Sequence, residues 1–199
     1  MPRIAAPTVA EHREQVRSAL VDAAERMLRD GEKLTAGAVS AAAGIARNSI
    51  YRYVDSVDDL HGMVLQRYLP GWDHAVTTVL QDIDDPQRRL VEWVRVNLEQ
   101  ASVMGHGWLM EIGRSGAGTS PAAAAVADHA HRILRDWVGD AWAALVPDAE
   151  DARLYAFLTL GLLRAAFDQL DSGVDLERVV SAATLATDAL VASAVAAAV

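Results

Sequence analysis

The sequence predicts an all-α protein with two helical parts, and three observations support this prediction. Of the 199 residues, 52% are hydrophobic, which is enough to build a substantial core. No segment alternates polar and apolar residues with the period of a half-buried strand. Apolar residues recur instead at helical spacing, and glycine or proline interrupts them at intervals. We expect nine or ten helices, three of them in an N-terminal helix-turn-helix domain and the rest in a C-terminal helical domain.

The first two helices follow from an apolar stripe and a capping residue. Residues 11–30 carry apolar side chains at helical spacing, and Gly31 supplies the left-handed residue that commonly ends a helix. Thr35 is a good N-cap for a second, short helix that ends near Ala42.

A sharp turn and a third short helix come next. Gly44 permits a left-handed backbone, and we expect the third helix to run from about Ala46 to Tyr53. Two short helices joined by a glycine turn form a helix-turn-helix. Ile50 and Val54 are four residues apart and therefore share the buried face of the third helix. Its opposite face then carries four polar residues without an acidic group: Arg47, Asn48, Tyr51 and Arg52.

The chemistry of this exposed face suits DNA. Arginine can bond guanine bidentately and asparagine can do the same to adenine, while hydroxyl groups are common phosphate ligands. An ordinary solvated face is the alternative, and a glycine turn by itself does not decide between the two. The DNA-binding residues that we predict are Thr35, Arg47, Asn48, Ser49, Tyr51, Arg52 and Tyr53.

Charge is distributed unevenly along the chain. Residues 1–68 contain nine basic and nine acidic residues, so the net charge of −9 resides in residues 69–199. This asymmetry favours nucleic acid as a partner of the N-terminal part. An acidic surface that only keeps the protein soluble explains the charge equally well.

The remaining helices are placed by caps and by proline. Ser56 and two following acids open a fourth helix, which we expect Pro70-Gly71 to break or kink. Further helices are predicted over residues 72–81, 86–104, 107–114, 121–145, 148–170 and 175–199.

Residues 34–60, LTAGAVSAAAGIARNSIYRYVDSVDDL, resemble the DNA-binding signature of TetR-family transcriptional regulators (TetR/AcrR type). The shared features are a capping Thr35, the pair Ala43-Gly44, an aromatic-rich recognition helix, and a serine followed by acids and leucine at 56–60. The resemblance implies a helix-turn-helix DNA-binding domain at 1–54, a connecting helix at 55–70, and an effector-binding and dimerisation domain at 71–199. It further implies a repressor that binds a pseudo-palindromic operator as a homodimer and is released by a small effector.

Three positions depart from the family pattern. Ala46 replaces the usual Ser or Thr, Val54 replaces an aromatic residue, and Val57 replaces a lysine that contacts phosphate. Losing a cation lowers DNA affinity and its salt dependence without changing which bases are read. The candidates to compensate are Lys33, Arg13, Arg17 and, in an N-terminal arm, Arg3; plain solvation is the alternative for exposed arginines on the first helix. These departures keep an alternative open, a helical small-molecule-binding protein that no longer binds DNA specifically.

The acidic part contains all five tryptophans, which suit a cavity for an apolar or aromatic ligand. Plain core packing is the alternative for each of the residues concerned. The candidate ligand-binding residues are Trp93, Met104, His106, Trp108, Met110, Trp137, Tyr155 and Phe157.

We expect a homodimer through the last two helices. In 154–167, eleven of fourteen residues are apolar, and a helix that is apolar all round must be buried on both sides. The last helix has two apolar strips, of which one would pack within the subunit and the other across a two-fold axis. These strips are Val180, Thr184, Thr187, Val191 and Val195, and Val179, Ala183, Ala186 and Leu190. The alternative is a monomer whose final helix frays.

Other classes of function lack their motifs. The stretch GRSGAGTS at 113–120 has the glycine spacing of a phosphate-binding loop but no lysine. His129 and His131 are two apart on a helix and face away from each other, which argues against a metal site. We predict no enzyme activity, cofactor or metal. The absence of cysteine and of an apolar leader predicts a cytoplasmic protein that does not enter the membrane.

Overall fold

The computed structural model describes residues 8–105, 107–108 and 120–197. Within these ranges the chain forms seven α-helices and one short 3₁₀ helix, and no strand, which confirms the all-α prediction. The elements are α1 (Val9–Arg29), α2 (Ala36–Ala42), the 3₁₀ helix (Arg47–Arg52), α3 (Asp59–Leu80), α4 (Pro86–Met104), α5 (Pro121–Leu145), α6 (Ala149–Asp171) and α7 (Leu176–Ala197).

Local capping explains where several helices begin and end. Thr8 forms a capping box with Glu11 at the start of α1. The Asp85 carboxylate accepts hydrogen bonds from the backbone of α4, where Pro86 occupies the first turn. Gly105 ends the same helix in the left-handed conformation, with φ of 77°. These are short-range rules, so the sequence alone places such boundaries well.

The chain divides into two compact units. The first contains the described residues 8–67 and 120–127, and the second contains 68–105, 107–108 and 128–197. Helices α3 and α5 each contribute residues to both units. The beginning of α5, which we expected in the effector domain at 71–199, therefore groups with the helix-turn-helix.

The first unit is built around α1 and the start of α3. Leu20, Val39, Ile50, Leu60 and Val64 are fully buried in it. Ion pairs also connect α3 to α1 in this unit. Nη1 of Arg67 lies 2.6 Å from Oδ1 of Asp22 and 3.1 Å from Oε2 of Glu25.

The second unit has a core formed by α4, α6 and α7 with tryptophans from neighbouring helices. Trp93 and Trp142 are its largest fully buried side chains. Most buried polar groups here are paired. Nε1 of Trp72 donates to Oδ1 of Asn97 at 2.8 Å, and Nε1 of Trp142 donates to Oγ1 of Thr159 at 2.9 Å.

The expected break at Pro70-Gly71 is wrong. Pro70 lies inside α3, so the helix predicted to end there and the one predicted at 72–81 are a single helix. Proline removes one backbone hydrogen bond, but buried residues on both sides hold the helix, Val64 and Leu65 before it and Val76 and Leu80 after it. The helix predicted at 107–114 lies mostly outside the described residues, of which Gly107 and Trp108 are helical.

Candidate nucleic-acid interface

The helix-turn-helix is held together by a cap, a glycine and a buried serine. Oγ1 of Thr35 accepts a hydrogen bond from the backbone N of Ala38 at 3.2 Å, as expected of an N-cap. Gly44 adopts φ of 72°, the left-handed conformation that favours glycine. The Ser40 hydroxyl is buried and donates to the carbonyl oxygen of Arg47 at 3.5 Å, which ties α2 to the 3₁₀ helix.

The third helix differs from the prediction in length and type. We expected a helix from about Ala46 to Tyr53, and the chain forms a 3₁₀ helix over Arg47–Arg52. Ala46 occupies the N-cap and makes no side-chain hydrogen bond, so the missing Ser or Thr is a real loss. The tighter helical turn is common in such short segments.

The polar residues of the 3₁₀ helix nevertheless point outward. Arg47, Asn48 and Arg52 are exposed and Tyr51 is 58% exposed, whereas Ile50 beneath them is completely buried. We call these four exposed residues the recognition surface. Ser49 and Tyr53 are half-buried beside it, and Thr35 is exposed at the start of α2. Among the residues that the structure describes, no carboxylate forms an ion pair with Arg47 or Arg52.

Arg13 has a role that the sequence did not indicate. Its Nη2 donates a hydrogen bond to the carbonyl oxygen of Arg52 at 3.1 Å. This bond joins α1 to the last residue of the 3₁₀ helix. The sequence indicates Arg13 as a candidate to compensate for the lost cation or as a solvated side chain, because a contact across 39 positions leaves no local signal.

Asp59 connects the starts of two helices within the first unit. Its carboxylate accepts hydrogen bonds from the backbone N of Ser56, at 2.8 Å, and from the hydroxyl of Ser120. Ser56 in turn accepts from the backbone N of Asp59, which completes a capping box for α3. The Ser120 hydroxyl also accepts from the backbone N of Ala123 at 3.3 Å, so that Ser120 caps α5.

The pKa of Asp59 is lowered by this arrangement. Burial acts to raise the pKa. The hydrogen bonds from Ser120, Ser56 and the Asp55 backbone lower the pKa, and their combined effect is larger than that of burial. Asp59 is therefore ionised at neutral pH and able to hold both caps.

Helices α3 and α5 approach each other closely at Gly62 and Ala123, within the first unit. A Cβ atom added to Gly62 would lie 2.8 Å from Cα of Ala123, which is too close for any side chain. The glycine is thus required by packing between the two backbones.

The predicted ligand-binding residues differ in their surroundings, although Trp93, Trp137 and Tyr155 share the core of the second unit. Nε1 of Trp108 donates to the carbonyl oxygen of Met104 at 3.0 Å, and its ring meets Tyr68 edge-on. Tyr155 stacks on Trp142 with 4.9 Å between ring centroids, and Trp137 packs against the core half-buried. His106 and Met110 lie outside the described residues.

Phe157 and Trp93 have opposite surroundings. Phe157 is 72% exposed on α6, so its assignment to an interior cavity is wrong. Trp93 is only 1% exposed, in the middle of α4, and its Nε1 has no hydrogen-bond partner among the described residues.

Helices α6 and α7 each present an exposed apolar face. On α6, Leu154, Phe157 and Leu158 are 52%, 72% and 45% exposed. On α7, Leu185 is 70% exposed between exposed alanines at 182, 189 and 192. Both strips that we predicted for α7 contain buried residues, so neither is left free as a whole for a partner subunit. The buried residues are Val180, Thr187 and Val191 in one strip and Val179 and Ala183 in the other, and the exposed Leu185 belongs to neither. The reason is that α7 packs against both α4 and α6.

One described helix is long and apolar enough to cross a membrane, and it is α7. Of its apolar window, 39% is buried within the chain. The core helices of soluble proteins pass the same length and composition test.

The sequence matches no protein-family model and no curated protein. Solved structures do match the fold. A transcriptional regulator from Pseudomonas aeruginosa PAO1 superposes with a TM-score of 0.69 at 15% identity, covering 97% of this chain and 96% of the other. A TetR-like regulator from Rhodococcus sp. RHA1 gives 0.64 at 20% identity, covering 98% of each chain. A third, from Saccharomonospora viridis in complex with choline, gives 0.62 at 14% identity, covering 87% and 94%. The chain therefore has the fold of TetR-type transcriptional regulators.

Proposed function

We propose that the chain is a ligand-responsive transcriptional repressor that binds a pseudo-palindromic operator as a homodimer. The observation that supports this most directly is the recognition surface. Its two arginines, asparagine and tyrosine are exposed and free of described carboxylate partners, over a buried Ile50. Such donors on a short helix after a glycine turn suit the edges of bases and the phosphates beside them. The remaining predicted contacts, Thr35, Ser49 and Tyr53, flank this surface.

The exposed apolar faces of α6 and α7 support the proposed dimer. A face with Leu154, Phe157 and Leu158 on one helix and Leu185 on the next is costly to leave in water. Pairing the same two helices of two copies would bury it in a four-helix bundle with two-fold symmetry. Two recognition surfaces related by that axis would enter successive major grooves about 34–36 Å apart. In the proposed dimer, α7 would lie in an interface between two proteins and not in a membrane, and we propose that the protein is cytoplasmic.

Release from DNA requires an effector that binds two arrangements of the dimer with different affinity. The protein with this fold from Saccharomonospora viridis binds choline in its crystal structure. We propose that the second unit of this chain binds a small apolar or aromatic effector. Helices α3 and α5 contribute residues to both units, and they are the elements through which such binding would act on the first unit.

Selection from a pool of random DNA duplexes, followed by fluorescence anisotropy, tests the proposal. We expect the full chain to enrich an inverted repeat and to bind it tightly, with an affinity that falls steeply as salt concentration rises. A scrambled duplex of the same length is the control. Binding that is weak and equal for both duplexes would instead support a small-molecule-binding protein without specific DNA binding. Ala46, which leaves the 3₁₀ helix without a cap, and Val57 are the observations that favour this second function.

A further inference from the structure

Within the part of the chain that the structure describes, the core of the second unit contains one buried side-chain donor without an acceptor. Trp93 is 1% exposed, and no described residue accepts a hydrogen bond from its Nε1. A buried N–H without a partner destabilises a protein by about 1–3 kcal/mol, and such groups are rare in folded proteins. The buried indole N–H of Trp93 is therefore a costly group to leave without an acceptor.

The surrounding core shows that this position is exceptional. Asn97, one turn along α4, accepts from Nε1 of Trp72 and donates to the carbonyl oxygen of Trp93, each at 2.8 Å. The equally buried Trp142 donates to Thr159, and the Thr159 hydroxyl donates to the carbonyl oxygen of Tyr155 at 2.9 Å. The fold thus pairs the indole N–H groups of Trp72 and Trp142, and leaves that of Trp93 without a partner among the described residues.

The chemistry of the site restricts what can complete it. An indole N–H only donates, so the missing partner must be an acceptor. The buried polar residues of the second unit, within the part that the structure describes, are Asn97, Thr159 and Thr187, and all three are neutral. An ionised ligand would lose its hydration there without gaining a buried counter-charge. The partner that fits is a neutral, mainly apolar molecule with one acceptor oxygen.

We infer that the effector of this chain is such a molecule, a ketone, ether or ester rather than a cation or a carboxylate, and that Nε1 of Trp93 donates to its oxygen. This inference rests on the proposed ligand-responsive function and names the class of ligand. It differs from what the choline complex of the Saccharomonospora viridis protein would suggest, because choline is a cation. Trp93 acts here as the residue that selects for an acceptor.

A pair of probes that differ in one oxygen tests the inference. Acetophenone and ethylbenzene have nearly the same size and shape, and only acetophenone has an acceptor. Calorimetric titration of the full chain should show acetophenone binding about tenfold more tightly, since the N–H is already desolvated before the ligand arrives. Choline and benzoate, as charged probes, should bind more weakly than acetophenone.

Two matched variants separate the N–H from the bulk of the ring. Trp93→Phe should bring the affinities of acetophenone and ethylbenzene to within about twofold of each other. Trp142→Phe removes a similar volume from the same core but a paired N–H, and should keep the tenfold preference. A variant with a benzothiophene side chain at position 93 removes the N–H at constant ring size, and it decides the matter if Trp93→Phe does not fold.

Several results would overturn the inference. These are equal affinity for the two neutral probes, binding of neither, tighter binding of choline or benzoate, or loss of the preference in Trp142→Phe as well as in Trp93→Phe. A buried water that already satisfies the N–H would give equal affinities and so belongs with these results. Operator binding is measured without any of these probes. A negative result in the probe titrations therefore leaves the proposed DNA-binding function standing, and a failure of operator binding is detected in its own assay.

Discussion

The hydroxyl of Ser120 donates a hydrogen bond to the carboxylate of Asp59, 61 positions earlier in the chain. Within the first unit, this bond joins the N-cap of α5 to the capping box of α3. A single ionised group therefore holds the start of both helices, and each of those helices continues into the second unit. The bond therefore connects two local helix caps through a contact between residues that are far apart in the sequence.

The contribution of the Asp59 carboxylate to stability should depend on pH. We expect Asp59→Asn to lower the free energy of unfolding by about 1 kcal/mol at neutral pH, because an amide is a weaker acceptor for the two caps. The pKa of Asp59 is lowered in the folded chain from its ordinary value of 3.8. Its stabilisation is therefore complete well above that value and is lost as pH falls through the lowered pKa.

Urea unfolding at several pH values measures this effect. The difference between the wild type and Asp59→Asn should be constant near neutral pH and should shrink below about pH 4. Asp58→Asn removes the neighbouring charge without changing the Ser120 bond and serves as the control. A difference that stays the same in acid would show that the carboxylate is not the group responsible.

Gly62 should tolerate no side chain. Gly62→Ala places a Cβ atom 2.8 Å from Cα of Ala123, so α3 or α5 must shift, at an expected cost of about 1–3 kcal/mol. Gly139→Ala in α5 meets nothing within 4 Å and should instead stabilise the helix by about 0.5–1 kcal/mol. The midpoints of urea unfolding compare the two variants directly, and equal stabilisation by both would contradict the close packing.

The proposed dimer makes a prediction about exposed apolar residues. Phe157→Glu and Leu185→Glu each place two charges in a symmetric interface and should raise the dimer dissociation constant by about 100-fold or more. Val103→Glu is the control, since Val103 is 80% exposed on α4, outside the proposed interface. Sedimentation velocity over a range of concentrations distinguishes the outcomes. Dimers that persist in both α6 and α7 variants would move the interface elsewhere.

Boundaries set by neighbouring residues were predictable from the sequence. Helix α4 begins at Pro86 after the Asp85 cap, and α5 begins at Pro121 after Ser120, as expected from capping alone. The exposure of Arg47 and Asn48 over Ile50 also followed from spacing. Each of these features depends on contacts within one or two helical turns.

Features set by tertiary packing were not predictable. Proline normally ends a helix, and only the burial of residues before and after Pro70 explains why α3 continues. Periodicity found two apolar strips on α7 but did not show that both face the core, or that Leu185 is exposed. Phe157 is a large apolar residue of the kind that lines cavities, but it lies on the surface of α6. The hydrophobicity of a side chain indicates that it favours burial, but it does not indicate which part of the protein or of a partner buries it.

Base recognition should depend on the two residues with directional side chains. Arg47→Ala or Asn48→Ala should cost about 1–3 kcal/mol of operator binding and relax the preference at particular base pairs. Tyr51→Phe should weaken all sequences similarly, by about 1 kcal/mol, because a phosphate contact carries no sequence information. Anisotropy titrations against the selected operator and its single-base variants measure both effects. A uniform loss in all three variants would mean that bases are read elsewhere.

Arg13 should act by positioning the recognition surface rather than by binding phosphate. Its guanidinium donates to the carbonyl oxygen of Arg52 at 3.1 Å, at the end of the 3₁₀ helix. We expect Arg13→Ala to lower operator affinity by about 0.5–1.5 kcal/mol and to leave binding to scrambled DNA and the salt dependence nearly unchanged. Arg26→Ala removes the same charge from an exposed position further along α1 and is the control. If Arg13 contacted phosphate instead, its loss would weaken all sequences alike and would reduce the slope of log affinity against log salt by about 0.9.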